Sequence, residues 1–117
     1  MAFVIAPKDT ITLKVDIDEP QDMGRIKKHY LVVTYKKLPV DEARKIMEDV
    51  KADLVGDEDI LERYVTDIKE ARDEEGNEVP FTQDLVSLLA QIEYVRRPLI
   101  DGFMTVQFGR EALRQKN

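Results

Sequence analysis

The chain has 117 residues, of which 43% are apolar and 36% charged, and a formal net charge of −6. Its length suits one domain built on one core, and its apolar share separates it from disordered chains. With no cysteine present, disulfide scaffolds, thiolate metal sites and cysteine nucleophiles are excluded, and no apolar run approaches a membrane span.

The start, Met1-Ala2-Phe3-Val4-Ile5-Ala6-Pro7, has no basic leader and too short an apolar run for a secretory signal. In Thr10-Ile11-Thr12-Leu13-Lys14-Val15-Asp16-Ile17 the apolar residues alternate with polar ones. That period of two predicts a strand with one face buried and one wet. Asp18-Glu19-Pro20-Gln21-Asp22-Met23-Gly24 carries turn residues. Ile26 to Lys37 is rich in β-branched and aromatic residues, so a second strand follows and pairs antiparallel with the first. A lone ribbon is marginal in water, so helices or a further strand must cover it.

At Leu38-Pro39-Val40-Asp41 the period changes, and Asp41 is read as an N-cap. Ala43, Ile46, Met47, Val50 and Leu54 share one helical face. Gly56 is expected to end this helix and Asp57 to cap the next, whose apolar stripe runs through Ile60, Leu61, Tyr64, Val65 and Ile68. A polar break over residues 72–78 contains a Gly-Asn turn pair. Thr82 can cap a third helix over 83–92, with Leu85, Leu88, Leu89 and Ile92 on one face. The fourth helix is placed over 93–113. Pro98 is set near its start, or at a kink between the last two helices, because an interior proline loses a hydrogen bond and clashes one turn back. Gly102 and Gly109 each weaken this helix by about 1 kcal/mol relative to alanine, unless Gly109 ends it.

The architecture read from this pattern is α+β, an N-terminal antiparallel hairpin or small sheet followed by about four helices. Residues 1–117 form one domain, with a β-rich part at 1–40, a helical part at 41–114 and a frayed tail at 115–117. Charge is unevenly spread: residues 41–84 hold six Lys or Arg against sixteen Asp or Glu. Such a segment repels phosphate backbones, so nucleic acid is not an expected partner. It keeps the chain soluble, or docks on a basic partner.

Catalytic chemistry finds few candidates. His29 is the one histidine, among lysines in the second strand, and is read as a surface or edge residue. Ser87, the one serine, lies on the apolar third helix outside any Gly-x-Ser-x-Gly elbow. An EF-hand register ending on Gly76 would put Ala71 at a ligand position, so a calcium loop fails. No glycine-rich phosphate loop occurs. No enzyme, cofactor or metal site is therefore expected. The C-terminal segment is mildly basic through Arg96, Arg97, Arg110, Arg114 and Lys116. Phe103, Met104, Val106 and Phe108 give the last helix more apolar surface than one face needs. It is buried on two sides, or it exposes a patch for a partner or for self-association. Arg96, Arg97, Leu99, Phe103, Met104 and Phe108 are the expected partner-binding residues. Tyr94, Phe81 and Met47 are expected in the core.

An ordered set of short motifs now becomes informative. Val65-Thr66-Asp67-Ile68-Lys69 is followed by Asp73-Glu74-Glu75-Gly76-Asn77-Glu78-Val79-Pro80-Phe81-Thr82. Leu85, Leu88 and Leu89 come next, then Tyr94-Val95-Arg96-Arg97-Pro98-Leu99 and Phe103. This series, with the strand pair before it and the ending Gln115-Lys116-Asn117, resembles the tail assembly chaperones of long-tailed bacteriophages and prophages. Ile68 stands where that family often places an aromatic residue, and Pro98 is not one of its hallmarks. The resemblance implies a non-enzymatic protein of the host bacterial cytoplasm. It would bind the long helical tape-measure protein and keep it soluble until the tail tube forms around it, with the major tail protein as a further candidate partner. It also implies that a longer, frameshifted form can exist. The alternatives are a structural minor tail or tail-completion protein, and a small regulatory binding domain with an enclosed apolar pocket.

Overall fold

Alternation in the N-terminal third produces a long two-stranded ribbon. In the computed structural model, which describes residues 2–109, β1 (Thr10–Pro20) and β2 (Ile26–Lys36) pair antiparallel from Thr10↔Lys36 to Pro20↔Ile26. Val15 and Ile17 of β1 and Leu31, Val33 and Tyr35 of β2 share the buried face. The opposite face is polar: the Thr12 and Thr34 hydroxyls lie 2.8 Å apart, and Lys14 sits 4.8 Å above the Tyr30 ring. The turn between the strands uses left-handed backbone at Met23 (φ 64°) and Gly24 (φ 75°). Glycine adopts that conformation freely, and methionine only at a cost.

Helix α1 (Val40–Lys51) buries Ala43 and Ile46. Pro39, not Asp41, is its N-cap. Asp41 falls in the first turn, where its charge favours the positive end of the helix dipole. The helix stops before Leu54, which is exposed, because the chain turns out through left-handed Asp53. Gly56 then starts α2 (Asp57–Tyr64) rather than ending α1, and its N–H donates to the Asp59 carboxylate at 3.1 Å.

Val65 and Ile68 are not helical. Val65–Lys69 is a third strand, β3, pairing antiparallel with β2 in a sheet of order β1-β2-β3. The expected helical part over 41–114 is therefore interrupted by a strand. The register slips between Thr34 and Tyr35, so that Val33 faces Ile68 while Tyr35 faces Val65. One extra residue at that bulge lets two side chains three positions apart face the same way. Both are buried. Among the described residues the fold is α+β, a three-stranded antiparallel sheet with four α-helices.

Residues 71–79 form a tight loop, with an isolated bridge between Arg72 and Glu78 and a Val79 N–H bond to the Ala71 carbonyl at 2.8 Å. The Asp73 carboxylate accepts the N–H groups of Glu75 and Asn77, both at 2.9 Å, so this acid organises its own turn. Helix α3 (Gln83–Ala90) opens on Thr82, whose hydroxyl accepts the Leu85 N–H at 3.1 Å.

Helix α4 (Glu93–Phe108) is seen to end at Gly109, where φ is 81°. The expected extension to Leu113, with Arg110, Arg114, Lys116 and the tail at 115–117, lies outside the described residues. Pro98 is in the interior of α4 rather than near its start. It withholds one rung of the hydrogen-bond ladder, and the helix persists because packing holds it. It lies along β1 and also meets α2 and α3. Gly102 allows the closest approach: the Tyr35 hydroxyl, fully buried, donates to the Leu99 carbonyl at 2.7 Å. Burial holds that phenol well above its ordinary pKa, and the charge of Asp101 adds to the effect. Gln107, also buried, ties the end of α4 to the sheet. Its carbonyl oxygen accepts the Leu38 N–H at 2.9 Å and its amide donates to the Lys36 carbonyl at 2.7 Å.

Candidate functional site

The β1–β2 ribbon is longer than the helices that cover it. β3 pairs only with residues 32–35 of β2, so the ribbon's distal end runs on without a third strand. Beneath it lies an open groove of about 780 Å³. Ile17 and Leu31 supply one wall from the sheet; Ala71 and Val79 come from the 71–79 loop. Leu85, Leu88 and Leu89 of α3 form the opposite side, with Tyr94 and Val95 from the start of α4.

The leucines follow from how α3 packs. Its buried residues are Leu85, Val86 and Ala90. Leu88 is 62% exposed and Leu89 half-buried. The helix thus carries more apolar side chains than its own packing consumes. Exposed leucine beside a concave apolar wall marks an interaction surface more than an isolated surface leucine does.

Polar groups in the lining are mostly matched with one another. His29 Nε2 lies 2.8 Å from Glu19 Oε1, and Arg72 donates to Glu70 at 3.3 Å. Lys28 reaches Asp18 at 3.4 Å. These pairs are solvent-exposed and contribute little stability. They leave the groove with an apolar floor and a charged surround. His29 is thus a surface residue. Ser87 lies elsewhere in its interactions, its hydroxyl donating to Glu62 of α2 at 2.6 Å.

The residues expected to bind a partner do not share one surface. Leu99 and Phe103 are 0% and 1% exposed, so their assignment as contact residues is corrected: both are core. Phe103 stacks against Tyr64 with ring centroids 5.6 Å apart. Met104 and Phe108 are half-buried and packed against that core. Arg97 is exposed, and Arg96 is half-buried and paired with Glu93. None of the six lines the groove. Met47, Phe81 and Tyr94, expected in the core, are half-buried at its margin. Leu88 and Leu89 were visible in the sequence as part of the leucine stripe. The available signal was a surplus: apolar residues at 85, 86, 88, 89 and 90 exceed one face of a two-turn helix.

Compared with known proteins, the chain matches no protein-family model, no curated protein and no solved structure. Among the described residues, no helix is long and apolar enough to cross a membrane.

Proposed function

We propose that this protein is a non-catalytic binding module, a tail assembly chaperone of a phage or prophage that holds an amphipathic segment of a tape-measure protein in the groove beneath the β1–β2 ribbon. The observation that carries the reading is the unsatisfied leucine surface of α3 facing an apolar sheet end across an open groove. Helix-in-groove recognition needs such a surface, with a surround of charge that keeps the complex soluble. The acidic middle of the chain and the ordered motifs that resemble the chaperone family support the same reading. An open groove also suits a long polypeptide ligand better than a small effector, which needs enclosure and converging polar groups.

Co-expression with a phage tape-measure protein tests it. A soluble complex is expected, and Leu88→Asp should abolish it while leaving the fold intact, since Leu88 is 62% exposed. Neither a complex nor a gain in tape-measure solubility would end the proposal. Mass spectrometry of purified tails separates it from the structural alternative, because a tail component is retained in the particle and a chaperone is not.

A further inference from the structure

We infer that β1 is a homodimerisation edge, pairing antiparallel with β1 of a second copy about a twofold axis at Val15. This inference is independent of the chaperone reading. β1 ends the sheet order, and among the described residues no strand pairs with its far side. Eleven residues of open edge are a hazard that proteins usually blunt or fill.

The phase of the ladder decides which residues are available. The Lys37 N–H donates to the Asp9 carbonyl at 2.8 Å, one step beyond the Thr10↔Lys36 pair. Main-chain groups in an antiparallel ladder alternate in direction. The odd-numbered residues of β1 therefore bond β2, and Thr12, Lys14, Asp16 and Asp18 aim their N–H and C=O groups at the open edge.

In one register this edge forms ion pairs with its own copy and meets no like charge. With the twofold at Val15, Lys14 faces Asp16 of the second copy and Asp16 faces its Lys14. Val15 meets Val15, and half-buried Leu13 meets Ile17, on the apolar face. Thr10 comes opposite Pro20, whose missing N–H closes the ladder. Neighbouring registers are worse matched in charge. A centre at Lys14 opposes two lysines, and a centre at Ile17 sets Asp16 against Asp18. A centre at Asp16 pairs Lys14 with Asp18 twice but sets Asp16 directly against Asp16. A centre at Leu13 forms no ion pair. A shift that exchanges the faces would set apolar residues against polar ones. In one copy Asp16 is exposed and has no ion pair among the described residues. Its charge is matched in the twofold arrangement. The contact is isologous, so it stops at two copies.

The experiment is sedimentation velocity over a concentration series on the full chain, on Lys14→Asp, on Asp16→Lys and on the double variant. Both positions are exposed, and far-UV circular dichroism checks that the variants fold. The wild type should sediment at twice the chain mass of 13.5 kDa. Each single reversal should raise the dissociation constant about tenfold, since it turns two attractive cross-strand pairs repulsive. The double variant should recover the wild-type value. Amide hydrogen exchange on the wild type gives a readout that needs no variant: Lys14 and Asp16 should be protected, although in one copy their N–H groups face solvent. A monomer at every concentration up to about 1 mM, an oligomer larger than two, a dimer indifferent to both single reversals, or unprotected amides at Lys14 and Asp16 would each overturn the inference.

Discussion

Gly102→Ala separates two physical accounts of α4, because they predict opposite signs. On helix propensity alone, alanine in a helix interior gains about 1 kcal/mol over glycine. The packing says otherwise. A Cβ on residue 102 would stand 2.5 Å from the Tyr35 Oη and 3.0 Å from its Cζ. Tyr35 cannot swing aside cheaply, since its ring is fully buried and its hydroxyl is bonded to the Leu99 carbonyl. Overpacking of this kind costs about 1–3 kcal/mol. Losing the buried hydroxyl's partner costs about 1–3 kcal/mol more. Set against the propensity gain, the net loss is about 3 kcal/mol. For a chain of this length a loss of 1 kcal/mol lowers Tm by about 4 °C, so thermal unfolding followed by circular dichroism should show a fall of about 12 °C on the same scale. Tyr35→Phe alone should cost about 1 kcal/mol. In the double variant the 2.5 Å contact with Oη no longer exists, so the two losses should sum to less than their separate values. A rise in Tm for Gly102→Ala would refute the reasoning, and additive losses would show that residue 102 and the hydroxyl do not meet.

Tyr35 also sets an alkaline limit. Its folded pKa is raised, so the folded state keeps a proton that the unfolded state releases near the ordinary value of about 10. Its stabilisation is therefore complete below about pH 10 and is lost as pH climbs from there through the folded pKa, at up to about 1.4 kcal/mol per pH unit. Denaturant midpoints measured from pH 8 to 11.5 should fall more steeply at the alkaline end in wild type than in Tyr35→Phe. Gln107→Leu should cost about 2–4 kcal/mol, because it orphans the Leu38 N–H and the Lys36 carbonyl together; urea unfolding measures it. Phe103→Ala should cost about 3–5 kcal/mol as a core truncation, and any variant protein that stays folded should bind a groove ligand as well as wild type does.

The alternation from Thr10 to Ile17 predicted both the first strand and its buried face, because a two-residue period has no other common source. Thr82 was readable as a cap and Gly109 as a stop, since each works through its own backbone and side chain. β3 was not readable. Tyr64, Val65 and Ile68 continue the spacing of a helix, and Val65 to Ile68 is a step of three. The step serves a strand only because the slip at Thr34 and Tyr35 absorbs a residue, and that slip belongs to the pairing rather than to either segment. Gly102 and Gln107 were opaque for the same reason. Their partners, Tyr35 and Leu38, lie more than sixty residues away.

The same distinction relocates the site. Surplus apolar residues on α4 allowed two readings, a helix buried on two sides or a surface for a partner, and the helix is enclosed by β1 on one side and by α2 and α3 on others. Leu99 and Phe103 answer internal demand from the sheet and the neighbouring helices. α3 has a comparable surplus but fewer neighbours to consume it, so Leu88 remains outside. Apolar excess alone therefore does not locate a binding face. The deciding quantity is excess minus the burial that the fold supplies, and here it is positive on α3, at the overhanging end of the ribbon.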